Sequence, residues 1–188
     1  AYAESVTLED GVSLYGGFSA TDWTDRDIES RDNATYRTEI QGVASSNFGV
    51  AFSGSSSEQW ILEGFTITTI HSANSYGVRV SLDGGAATVR YNTINGGSGN
   101  GGTSRGIIAT FPLANTSLIA RNDINGGSSN TSYGIQLYHN TENTTLACEI
   151  TGNHIDGGTG AYPYGIYCNG TADTRAVARL RCLSRTFR

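Results

Sequence analysis

Methionine and lysine are absent from the 188-residue chain, proline occurs only twice, and charged residues make up 15%. Without two strong helix formers, and with charge well below the usual quarter of a soluble domain, a helical bundle is excluded. Glycine, at 25 residues, has no three-residue period, so with so little proline a collagen triple helix is excluded too. The three cysteines, Cys148, Cys168 and Cys182, are odd in number and show no Cys-x2-Cys spacing, which argues against a zinc site and a disulfide scaffold. No apolar run approaches the roughly 18 residues of a membrane-spanning helix. All 12 basic residues are Arg. Five of them crowd into residues 175–188, which hold no acid, while the preceding residues carry all 17 carboxylates. An acidic body lacks the cations that displace counterions from a nucleic acid, so no nucleic-acid partner is expected.

What is present is apolar, small and polar without charge. Hydrophobic residues reach 37% and aromatic ones 10%, enough for a core and against disorder. Asn, Ser and Thr are abundant along the whole chain, a composition that favours turns and β-structure.

The informative feature is a period. A glycine followed by alternating apolar residues returns at Gly49, Gly77, Gly106, Gly134 and Gly165, with successive spacings of 28, 29, 28 and 31. The residue before each glycine is Phe48, Tyr76, Arg105, Tyr133 and Tyr164. A second unit keeps phase with it: Asn92-Thr-Ile-Asn-Gly-Gly97, Asn122-Asp-Ile-Asn-Gly-Gly127 and Asn153-His-Ile-Asp-Gly-Gly158. Between them runs an apolar strip, Ala87/Val89, Ser117/Ile119 and Cys148/Ile150. Each repeat thus carries three short strands with an in–out alternation: a Gly-led strand, a middle strand and an Asn-led strand. Stacking equivalent strands about 4.8 Å apart buries faces that no single repeat can bury. The register predicts inward columns Val50/Val78/Ile107/Ile135/Ile166 and Phe52/Val80/Ala109/Leu137/Cys168, with Ile94/Ile124/Ile155 and Val89/Ile119/Ile150 facing them. Cys148 and Cys168 read as buried free thiols. The recurring Asn fits a left-handed bend, its amide bonding the next Asn in a ladder.

With these rungs in view, the chain resembles the right-handed parallel β-helices of the pectate-lyase-like superfamily. Tyr2 to Phe18, with Trp23, Arg26, Arg31 and Thr38-Glu-Ile-Gln-Gly42, is similar to the N-terminal rungs of secreted bacterial β-helix proteins of unknown function. The resemblance covers about residues 2–170 and implies an all-β solenoid of five to six turns, each a three-strand rung of the length that the glycine spacings set. The domain reading is a β-helix over 1–174 and a basic tail over 175–188. Residues 19–37 interrupt the first rung as an insertion, read first as a cap and second as a functional loop. In the tail, Ala176, Leu180, Leu183 and Phe187 follow helical spacing, so a capping helix is expected, with a non-native extension as rival.

No established catalytic motif is present, and the superfamily's lyase and hydrolase residues find no match residue by residue. Two constellations remain. On the outward side of the Asn-led strands, Asp123 and His154 become neighbours with Asp156 beside them, a candidate acid–base or cation site. The Tyr76, Arg105, Tyr133 and Tyr164 ladder is a candidate ligand-binding surface, its guanidinium held between rings. No metal and no cofactor is called for. The expectation is a secreted or surface-exposed structural or adhesive solenoid, extracellular or on the cell surface, with polysaccharide as its partner and its oligomeric state open. The rival is a carbohydrate-active enzyme, a lyase or glycoside hydrolase acting on an extracellular polysaccharide.

Overall fold

The computed structural model describes residues 2–28, 35–55, 57–70, 74–98, 101–110, 117–138, 148–169 and 178–181. The chain makes six passes through three parallel sheets, one strand per sheet in each pass. The first pass is β1 (Tyr2–Ala3), β2 (Val6–Leu8) and β3 (Leu14–Tyr15), and the second is β4 (Thr38–Gln41), β5 (Phe48–Gly54) and β6 (Gln59–Glu63). The third is β7 (Phe65–Thr68), β8 (Ser75–Leu82) and β9 (Ala86–Arg90), and the fourth is β10 (Thr93–Asn95), β11 (Thr103–Thr110) and β12 (Ser117–Ala120). The fifth is β13 (Asp123–Asn125), β14 (Thr131–Tyr138) and β15 (Cys148–Thr151), and the sixth is β16 (His154–Asp156), β17 (Tyr162–Asn169) and β18 (Ala178–Arg181). The Asn-led sheet runs β1 to β16, the Gly-led sheet β2 to β17 and the middle sheet β3 to β18, each six strands wide. The fold is an all-β parallel β-solenoid.

The register is the one the periodicity implies. Val50, Val78, Ile107, Ile135 and Ile166 pair in sequence, as do Phe52, Val80, Ala109, Leu137 and Cys168. Ile67, Ile94 and Ile124 are fully buried opposite them, and Ile155 packs against the same core from the last pass. Each such side chain contributes roughly 1.5–3 kcal/mol through burial. The glycines of the Gly-led strands are explained by this column. A Cβ on Gly49 would lie 2.6 Å from the Ile67 methyl and 3.0 Å from the Gly77 carbonyl oxygen, and Gly77, Gly106 and Gly134 meet Ile94, Ile124 and Ile155 in the same way. The glycine is therefore a packing requirement, the place where isoleucines press against bare backbone.

The turn before each Asn-led strand is held by the asparagines. Asn92 donates its Nδ2–H to Asn122 Oδ1 at 3.1 Å, and Asn122 donates to Asn153 Oδ1 at 2.9 Å. Each Oδ1 also accepts a backbone N–H from the rung before it: Phe65 to Asn92, Asn92 to Asn122 and Asn122 to Asn153. The left-handed residue is the one ahead of each Asn: Tyr91 (φ 54°), Arg121 (φ 53°) and Gly152 (φ 63°), with Gly64 (φ 84°) at the equivalent place ahead of Phe65. The expected left-handed asparagine is thus corrected by one position. The side chain has to point inward to bond the ladder, and the bend is made just before it.

Two further expectations change. Residues 178–181 form strand β18, with Leu180 opposite Ile150 and Ala178 opposite Cys148, so the capping helix is not formed there. Among the described residues there is no helix. Four residues of period-two alternation continue the middle-sheet columns, and the edge of β15 offers a ready template. The β-structure thereby passes beyond residue 174, while Ala176, Leu183 and Phe187 lie outside the described residues. Cys148 is buried as expected, but Cys168 is exposed. Its strand β17 is the edge of the Gly-led sheet, so the inward column ends there and Cys168 stacks on Leu137 from one side alone.

The insertion follows β3, whose Leu14 and Tyr15 pair with Leu62 and Glu63. Its first part is a short hairpin closed by an antiparallel bridge between Phe18 and Arg26. Ser19 N–H donates to Asp25 O at 2.8 Å and Asp27 N–H to Gly17 O at 2.9 Å. Arg31 lies outside the described residues.

Candidate functional site

The Asn-led strands place Asp123 directly opposite His154. His154 Nδ1 lies 2.9 Å from Asp123 Oδ1, with the two side chains 80% and 55% exposed. Water screens such a pair, which makes it weak as a structural tie and weak as a field acting on substrate. Asp156 pairs with Asn125 rather than joining the histidine. Its Oδ1 accepts the Gly158 N–H at 2.8 Å, as Asn125 Oδ1 accepts the Gly127 N–H at 2.7 Å. The third candidate is thus engaged in a turn, away from the imidazole's column.

The ladder of the Gly-led sheet forms in register: Phe48, Tyr76, Arg105, Tyr133 and Tyr164 are successive partners. The Arg105 guanidinium lies 5.0 Å from the Tyr76 ring centre and 5.6 Å from that of Tyr133. Tyr133 and Tyr164 stack at 5.2 Å with their planes 18° apart. Tyr167 closes the group at 5.1 Å from Tyr133 and 5.6 Å from Tyr164. Arg105 Nε donates to Gln136 Oε1. Desolvation pulls the Arg105 pKa down, and the two flanking rings oppose it. Burial and then the neighbouring Tyr167 push the Tyr133 phenol up, while Arg105 pulls it down.

A parallel solenoid built from this repeat has a counterpart among protein families. Residues 5–175 match the family described as periplasmic copper-binding protein (NosD). The chain belongs to the NosD family. No curated protein and no solved structure matches it. The NosD match covers the repeats and agrees with the superfamily resemblance at the level of fold. It also fixes location coarsely: NosD proteins are periplasmic, so this is a cell-envelope module rather than one of the cell interior.

Sequence reading missed one polar centre in this NosD-family chain. Glu63 is 1% exposed and is gripped from two sides. Arg26 Nη2 reaches its Oε1 at 2.6 Å and Arg90 Nε its Oε2. Arg26 also donates from Nε to the Gly16 carbonyl at 2.8 Å and lies 5.4 Å and 5.1 Å from the Tyr15 and Phe18 ring centres. These contacts pin the insertion hairpin to the solenoid. Glu63 and Arg90 are neighbours only across one rung and Arg26 comes from outside the period, so no spacing announces the trio. A buried serine column was missed as well. Ser75, Ser104 and Ser132 each have zero exposure, and each stands immediately before a ladder residue. That recurrence was present in the sequence as Ser-(Tyr or Arg)-Gly.

Proposed function

We propose that the chain is a non-catalytic structural and adhesive module of the cell envelope, making contact through the ladder face of its Gly-led sheet. The observation that carries this reading is the distribution of its reactive groups. An enzyme gathers acid, base and stabilising donors around one point sheltered from water. Here His154 and Asp123 stand on an exposed sheet, Asp156 is tied to a turn, and the buried carboxylate Glu63 is neutralised by two arginines.

The family's description names copper. Copper is held by converging imidazole or sulfur ligands. Among the described residues no group of three His, Cys, Asp or Glu converges, and the chain has no Met. Burial pushes the Cys148 thiol up to about 12, whereas a metal takes the thiolate. The described residues do not fit a copper site.

A carbohydrate-active enzyme is the second reading, favoured by the 2.9 Å contact of His154 with Asp123. A panel of neutral and acidic polysaccharides, followed for new reducing ends and for unsaturated product, separates the two. The module reading predicts no turnover. Turnover abolished by Asp123→Ala or His154→Ala would replace it with the enzyme.

A further inference from the structure

The six strands of the Gly-led sheet contain no Asp and no Glu. The other two sheets carry Glu39, Glu63, Asp123, Glu149 and Asp156. In a chain of net charge −5, the Gly-led sheet is cationic, with Arg79 exposed on β8 and Arg105 half-buried on β11. Arg105 has rings above and below and Gln136 at its Nε, but no carboxylate partner among the described residues, and its Nη1 is buried without an acceptor. A half-buried guanidinium without a counter-charge is unfavourable, so this face is short of an anion.

The rings narrow the choice of anion. Tyr133 has Arg105 against one face and Tyr164 against the other. Both faces of Tyr133, on which a sugar ring would stack, are thus used inside the ladder. Hydroxyls beside guanidinium forks suit carboxylates on an extended chain. Tyr and Arg are also the side chains that dominate protein–protein contacts. Arg105 is registered with Tyr76, three residues before Arg79. At about 3.3 Å per residue along a strand and 4.8 Å between strands, the two arginine positions stand about 11 Å apart. In an extended polyproline II segment side chains return to one face every third residue, about 9.3 Å on, close to that spacing.

We infer that the Gly-led face binds an acidic polypeptide segment in extended polyproline II form, Arg105 and Arg79 each receiving a carboxylate and the tyrosine hydroxyls framing them. The inference rests on the adhesive reading and names its partner. The probe is a fluorescein-labelled peptide of Ser with Glu at every third position, long enough to span both arginines, followed by anisotropy at low and high salt. A peptide with Gln in place of Glu and a polygalacturonate chain are compared with it. The Glu peptide should bind at low salt and release at high salt, and the Gln peptide should not bind. Arg105→Gln should weaken binding about tenfold or more, the scale of one lost charge-assisted hydrogen bond. Arg79→Gln, at an exposed position that leaves the fold intact, should weaken it several-fold, and a thermal melt accompanies both variants. Failure of the Glu peptide to bind, equal binding by both folded variants, or tighter binding of polygalacturonate than of the peptide would overturn the inference. Turnover in the polysaccharide panel would sink the adhesive reading itself, whereas loss of peptide binding without turnover sinks only the partner.

Discussion

Replacing Asn122 by Ala removes the central member of the asparagine ladder while leaving every apolar column intact. The side chain is 1% exposed and makes four hydrogen bonds. Its Oδ1 accepts from Asn92 N–H at 2.9 Å and Asn92 Nδ2 at 3.1 Å; its Nδ2 donates to Val89 O at 2.8 Å and Asn153 Oδ1 at 2.9 Å. Alanine cannot replace any of these. The buried Asn92 N–H and Val89 carbonyl lose their side-chain partners, each at about 1–3 kcal/mol. A loss of about 4 kcal/mol follows, a large share of the roughly 5–15 kcal/mol that holds a domain folded. At about 2–4 °C per kcal/mol for a chain of this size, the melting temperature should fall by about 10 °C. Urea denaturation followed by far-ultraviolet circular dichroism reads it, with Asp123→Asn one residue away as control. That exposed substitution should stay within about 0.5 kcal/mol of the parent. If Asn122→Ala costs no more than Asp123→Asn, the ladder does not hold the turns and the argument fails.

Ile124→Asp should prevent folding, since it sets an unpaired charge between Ile94 and Ile155, and a cooperative melt in the variant would refute the column. In the native protein a bulky maleimide should modify Cys168 and spare Cys148 until denaturant is added, as peptide mapping by mass spectrometry would show. Burial first, and then the neighbouring Cys168 and Glu149, raise the Cys148 thiol from 9.0 to about 12. The folded state therefore keeps a proton that the unfolded chain releases, so its stabilising contribution is whole below pH 9 and is lost as pH rises toward 12. Cys148→Ala should flatten the alkaline limb of the stability curve, and an unchanged limb would contradict the assignment. Glu63→Ala leaves Arg26 and Arg90, both partly open to water, without their shared carboxylate; at about 1.5–3 kcal/mol for lost charge-assisted hydrogen bonds, it should destabilise the chain and speed proteolysis within residues 18–27.

The parallel sheets and their columns could be read from the chain because a solenoid repeats one local problem. Every rung must present Val or Ile at the same two places, and Gly where Ile67, Ile94 and Ile124 press on backbone. The pairing of Asp123 with His154 and the sandwiching of Arg105 follow from that same period, so they were legible too. What was not legible departs from it. Glu63 bonds an arginine from an insertion whose length obeys no repeat. Cys168 occupies an inward position, but burial there depends on a further strand, which the period alone does not supply. In the tail, Leu180 belongs both to the helical spacing of Ala176, Leu180, Leu183 and Phe187 and to the strand alternation of Ala178-Arg-Leu-Arg181, and pairing with β15 decides for the strand over 178–181. The chain's acid-free sheet was likewise hidden, because outward positions vary from rung to rung and become a face only when stacked.

Every face described depends on residues one repeat apart lying in one column, and a distance measurement tests that most directly. Glu39, Thr66, Thr93, Asp123 and His154 are successive partners across the Asn-led sheet. Spin labels at Glu39 and His154, exposed or half-exposed positions four strands apart, should report backbone positions separated by about 19 Å, at roughly 4.8 Å per strand. Pulsed electron–electron resonance should give one narrow distribution near that value, widened only by the linkers. A broad distribution, or a narrow one centred at twice that separation, would contradict the stacking and the ladder and acid-free face built on it.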